Sequence, residues 1–207
     1  LARTRSDAEE SPILLLTAIN DIRKVLGEPL LLEYSLFEVQ LGEDRPTVTE
    51  EVKVGFSERC GSDIKKMRQI FQFALIGLIR NEDTKTNLAR VANVLTRLVQ
   101  ECKGSRINQL WEIAAAMIEG WIGDSVKLNT DQIDLLRTTD KEIKQLVDSG
   151  GAGLDRQPDA ELLKSMLFQV AKSRVESTSI QAIKRTYGID ESPLGQGNGG
   201  QTGLFVR

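Results

Sequence analysis

Glu112 and Glu119 stand seven residues apart in an apolar-rich stretch, a spacing that puts both carboxylates near one face of a helix. Paired carboxylates can serve acid/base work or hold a hard metal. Their neighbours support neither use. No third carboxylate accompanies them and no Glu-x-x-His spacing occurs, so solvated or ion-paired glutamates are the simpler reading. The chain contains no histidine at all. That removes Ser-His and Cys-His nucleophile pairs, imidazole metal ligands and phosphohistidine together. Of the two cysteines, Cys60 follows basic Arg59, but an exposed thiol without a base is weak evidence for a nucleophile. Gly150-Gly151-Ala152-Gly153 is no phosphate loop, because no strand precedes it and no Gly-Lys-Ser/Thr follows. The sequence therefore offers no catalytic residue, no metal-ligand set and no cofactor motif.

Two further groups of side chains could bind. Trp111 and Trp121 could be stacking platforms, but both fall on or beside an apolar helix face with Ala114, Met117 and Ile118, where core or interface packing is their ordinary role. Lys65, Lys66 and Arg68 cluster at one helix entry, and Arg90 and Arg97 share a face of the next helix. This set could dock an acidic protein partner; a solvated charged face is its more common meaning.

The elements that carry these residues are read from periodicity. Residues 62–122 form three successive amphipathic helices. Ile64, Met67, Phe71, Leu75 and Leu78 lie on the first, Leu88, Val91, Leu95 and Leu98 on the second, and Ile107, Leu110, Ala114, Met117, Ile118 and Trp121 on the third. Their short connections require antiparallel neighbours. Gly77 inside the first marks a tight helix–helix contact. Upstream, Ser11-Pro12 starts a helix whose buried face is Leu15, Ile19, Ile22 and Leu26, and Gly27 and Pro29 end it. Phe37, Val39 and Leu41, and then Val52 and Val54, alternate with polar residues, which predicts a short extended or hairpin insertion near residues 30–56. Downstream, Asn129 and Gln132 form a capping pair for a helix through Leu136, Ile143 and Val147. Residues 149–153 read as a flexible glycine joint, Pro158 opens another helix, and a last short one ends at Gly188. The expectation is an all-α antiparallel bundle of about six or seven helices. Residues 1–61 would supply an N-terminal helix and extended segment packing on it, 62–190 the bundle, and 191–207 a Gly-rich tail.

The chain has 207 residues, 40% of them hydrophobic, with net charge −3 and pI about 5.3. That balance argues against bulk attraction to nucleic acid or anionic lipid. Two cysteines suit a reducing, cytoplasmic setting. No apolar run approaches the length of a membrane span, and no signal peptide opens the chain. It begins at Leu1, as a segment of a longer protein would.

Several stretches occur in a telling order: Ser11 to Arg23, Phe71-Gln-Phe-Ala-Leu-Ile-Gly-Leu-Ile-Arg80, Leu88 to Leu95, Leu110-Trp-Glu-Ile-Ala-Ala-Ala-Met-Ile-Glu119 and Leu162 to Ala171. Together they resemble the region shared by the FimL scaffolds and the N-terminal part of the ChpA hybrid histidine kinases of type IV pilus chemosensory systems. The resemblance covers residues 11 to about 189 and rests on apolar helix faces, not on a catalytic signature. It implies a module related to histidine-phosphotransfer bundles. Such bundles carry His-x-x-Lys-Gly, whose nearest match here is Phe73-Ala-Leu-Ile-Gly77, with Phe73 in the place of histidine and Ile76 in that of lysine. The implied function is degenerate: protein docking without phosphate relay, in twitching motility and cyclic-AMP control. The implied partners are a CheY-type pilus response regulator and a FimV-like hub protein. A carboxylate- or metal-dependent helical enzyme, and a structural spacer inside a larger kinase, are the competing readings.

Overall fold

The computed structural model describes residues 12–189. The expected Ser11 cap, the lead-in before it, and the Gly-rich tail with its Leu204-Phe205-Val206 tip lie outside the described residues. The described residues fall into two compact units, divided after Val39.

The first unit holds α1 (Pro12–Val25) and a 3-10 turn, Glu33–Leu36. Asn20 joins its ends by bonding the carbonyl and amide of Leu31 at 2.8 and 2.7 Å. The expected buried face of α1 is corrected here. Leu16 is buried, whereas Leu15, Ile22 and Leu26 are exposed. So short a unit has too little chain to cover every apolar side it carries.

The second unit is all helix: α2 (Glu50–Ile79), α3 (Thr84–Glu101), α4 (Asn108–Gly123), α5 (Thr130–Ser149), a 3-10 segment Gly150–Asp155, α6 (Ala160–Lys172) and α7 (Thr178–Thr186). Its start corrects the sequence reading. No strand or hairpin occurs among the described residues. Thr49 caps α2 through the Val52 amide, Glu50 and Glu51 occupy the first turn, and Val52 and Val54 are helical. The boundary expected after Gly61 falls inside α2. Phe56, Cys60, Ile64 and Met67 are all buried, at steps of four, four and three that keep one helix in register. Gly55 and Gly61 lie where nothing approaches within 4 Å, so they weaken the helix locally without breaking it.

α2 packs against α3 and α5, and α4 packs against α3, α6 and α7. α2 and α3 run antiparallel, with Cys60 level with Glu101 and Gly77 level with Asn87. On the other flank, Arg68 makes a two-pronged pair with Asp140 of α5 at 3.0 and 2.9 Å, joined by Gln72 at 3.3 Å. α5 opens with the expected capping box, Asn129 with Gln132. Asp159 caps α6 and Ser177 caps α7.

The stretch expected to be a loose glycine joint is tightly packed instead. Gly151 is buried, and a Cβ there would stand 2.1 Å from the Lys53 carbonyl oxygen, so only glycine lets the chain approach α2. Ser57 Oγ accepts the Gly151 amide at 2.8 Å, and Asp155 bonds Lys53 at 2.8 Å and the Val48 amide at 2.7 Å.

Leu95, Leu110 and Trp111 are fully buried, as their helix faces require. Leu95→Ala should therefore destabilise the protein by about 2–5 kcal/mol. Chemical-denaturant melts measure this, and a loss below about 1 kcal/mol would contradict the packing described.

Candidate functional site

The outer surface of α2 is unlike that of a solvated helix. Ile70, Phe73, Ile76 and Ile79 are exposed by 48%, 66%, 49% and 47%. Steps of three make them one continuous ridge that crosses the helix obliquely. It starts beside α3, where Arg90 sits over the Phe73 ring at 5.5 Å. It ends beside α5, where Ile79, Leu78, Leu128 and Ile133 line a recess of about 370 Å³.

Gly77 sets the geometry of the α3 edge. A Cβ at this position would lie 2.2 Å from Asn87 Nδ2, so the absent side chain lets Asn87 in, and the close contact expected of this glycine is present. Asn87, itself buried, donates to the Glu82 carbonyl at 2.8 Å and accepts from Arg90 Nη1 at 2.9 Å. Arg90 is thus oriented by Asn87 against Phe73, a cation–π geometry.

The basic residues expected to bind separate into two groups. Lys65, Lys66, Arg90 and Arg97 are exposed around the ridge, Lys66 with Asp63 at 3.7 Å. The antiparallel register places Arg97, on the same face of α3 as Arg90, about level with Lys66. Arg68 is instead committed inside the fold to Asp140.

The two carboxylates do not converge. Glu112 is held by Arg45 and Asn108, and Glu119 accepts from Ser179 Oγ, so both tie elements together. Trp111 and Trp121 are buried core residues. A recess of about 410 Å³ beside Trp121 is bordered by Asp124, Lys127, Lys172 and Arg174. Asp124 is engaged there by Ser173 Oγ at 2.8 Å and by the Arg174 amide.

Sequence reasoning missed the ridge. The signal was present as a second apolar set interleaved with the inward one: Ile70, Phe73, Ile76 and Ile79 between Met67, Phe71, Ala74 and Leu78. An amphipathic helix needs only the inward set.

Residues 57–197 match the family described as FimL scaffold protein, second domain. The chain belongs to this family. Over 194 residues, 94% of its length, it is 28% identical to Scaffold protein FimL of Pseudomonas aeruginosa. That alignment covers 34% of the relative, so the chain spans about a third of its length. No solved structure matches the chain.

The thiols of this FimL-family chain are not poised for reaction. Cys60, expected to be exposed, is buried and donates to Glu101 Oε2 at 3.0 Å. Burial, and then this bond to a carboxylate, push its pKa up from 9.0 to about 11. Burial pushes Cys102 up to about 12. A thiol kept protonated by the fold contributes stability below its ordinary pKa and loses that contribution as pH rises through its folded one. Unfolding free energy should therefore fall between pH 9 and about 11. The Cys60→Ser, Cys102→Ser variant should show a shallower fall in denaturant melts at stepped pH. An equal fall in both would contradict the assignment.

Proposed function

We propose that the chain is a non-catalytic protein-docking module of a type IV pilus chemosensory system. It would serve as the second domain of a FimL-like scaffold and act in the cytoplasm in twitching-motility and cyclic-AMP control. Membership in a scaffold family is the observation that carries this reading. The chemistry of the chain agrees with it. Phe73 occupies the outer surface of α2 where the resemblance to phosphotransfer helices would put histidine, and the sequence holds no histidine anywhere. Gly77 lies four residues on, in close helix contact. The domain then keeps the presenting helix of a phosphotransfer bundle and lacks its phosphate acceptor. The partners of this reading are a CheY-type pilus response regulator and a FimV-like hub.

The docking face of this reading comprises Lys65, Lys66, Arg90 and Arg97. A receiver domain carries acidic residues around its phosphoacceptor site, and exposed cations act mainly on the association rate and on salt dependence.

Two outcomes follow. Incubated with the radiolabelled phosphorylated response regulator or kinase, the chain should acquire no acid-labile label; stable label would overturn the reading. Arg90→Glu with Arg97→Glu should weaken binding to the response regulator by roughly tenfold at low salt, with a smaller effect at high salt. Circular dichroism of the variant should be unchanged. A folded double variant that binds as tightly as the parent would remove this face from the interface.

A further inference from the structure

The basic residues around α2 do not explain why the helix exposes four large apolar side chains between them. From the fractional exposures, the ridge presents on the order of 400 Å² of apolar surface, the size of the largest patch on an ordinary monomer and commonly a functional one. Its form is also particular. It is a narrow row at helical spacing that ends in the recess beside Ile133, a shape suited to a single helix with one anchoring side chain.

The charges around the row select the occupant. Lys66 on α2, Arg80 at its C-cap, and Arg90 and Arg97 on α3 are exposed along it. Of the acids nearby, Asp63 is already in contact with Lys66, and Asp134, beside the recess, is paired with Arg137 at 2.7 Å. Glu82 and Asp83 lie at the turn beyond the ridge, and Asp83 is occupied as the α3 cap. A second copy of the chain is a poor fit. An antiparallel two-fold pairing of the ridge on itself would centre between Phe73 and Ile76 and bring the two Arg90 side chains together across the axis. Like charges meeting in an apolar interface are costly.

We infer that the Ile70–Phe73–Ile76–Ile79 ridge of α2 docks an amphipathic helix whose apolar face is bordered by carboxylates. The inference rests on the docking reading above and names the contact that holds it. Phe73 and Ile76 form the apolar centre, the recess beside Ile133 takes the anchor, and Arg90, oriented by Asn87, pairs with an acidic residue of the incoming helix. Phe73 is the residue on which binding depends most, because it is the most exposed of the four and a partner helix would cover the whole ring.

The test uses two synthetic helical peptides with the same leucine face, one bordered by glutamates and its twin by lysines. Each is titrated into the isotope-labelled full chain. The glutamate peptide should bind at least tenfold more tightly than its twin. Amide shifts should be confined to the ridge, the facing turns of α3 and the start of α5. Phe73→Ser and, separately, Ile76→Ser should weaken that binding tenfold or more while leaving the melting temperature in place, since both side chains are exposed. Arg90→Glu should narrow or reverse the preference between the peptides, a result that a purely structural arginine would not produce. The inference is overturned if neither peptide binds, if both bind equally, if the shifts fall elsewhere, or if sedimentation shows the chain pairing with itself through the ridge. If the response regulator binds and Phe73→Ser leaves that binding unchanged, the docking reading stands and the ridge assignment falls.

Discussion

α4 has almost no side to give to water. Eleven of its sixteen residues are buried, Trp111 completely. A helix that is apolar nearly all round must be enclosed by other elements. α3, α6 and α7 supply that enclosure. Its start has no side-chain cap: the Gln109 and Leu110 amides bond the Arg106 and Ile107 carbonyls at 3.3 and 3.1 Å, and the Ile107 amide ties the start to the Leu154 carbonyl at 3.2 Å in the 3-10 segment after α5. The last turn is closed off from the other side by Ser173, which lies against Gly120 so closely that a Cβ there would be 2.8 Å from its hydroxyl. Three helices of the second unit are thereby committed to covering one.

This commitment leaves α2 in a different position. It has α3 on one flank and α5 with the 3-10 segment on the other, and nothing among the described residues of this unit crosses its outer surface. The inward face is secured by apolar packing, and the α5 flank by the Arg68–Asp140 and Lys53–Asp155 pairs. These pairs are partly exposed and contribute modestly to stability; their larger effect is to fix register and orientation. A rigid thirty-residue helix held on three sides can carry an apolar ridge on the fourth without losing its shape.

What the sequence made legible was what a single helix can announce by itself. The faces of α3 and α4, the Asn129–Gln132 capping box and the Gly188 exit all follow local rules, and the structure has them. The misreading at the start of α2 was local; in the others below, the deciding partner was distant in sequence. Val52 and Val54 alternate with polar residues like a strand, yet the Phe56-to-Met67 register across Gly55 and Gly61 makes them helical. Gly151 looked like slack until the Lys53 backbone, some hundred residues earlier, filled the space a side chain would need. Cys60 looked exposed beside Arg59, but its environment is set by Glu101. Arg68 belonged to a basic cluster in the sequence and to Asp140 in the fold. For the candidate site, the cations were legible because charge needs no context. The ridge was not, since a mixed helix shows which apolar residues it has but not which of them its neighbours will cover.

Gly77 connects the interior to that surface. Inside a helix, glycine costs about 1 kcal/mol relative to alanine, so a compensating contact is expected where one persists in a well-packed element. Here the contact is Asn87, which fills the missing side chain's place, satisfies the Glu82 carbonyl at the α2–α3 turn and holds Arg90. A methyl group at Gly77 would have to displace Asn87, and with it the group that aims Arg90 across Phe73. The turn between the two helices and the charge beside the ridge are therefore set by the same buried amide. A long arginine free to sample many rotamers gives up conformational entropy when it pairs, whereas one already fixed by a neighbour gives up less. The buried packing of α2 on α3 in this way pre-organises an exposed charge beside the apolar ridge of α2.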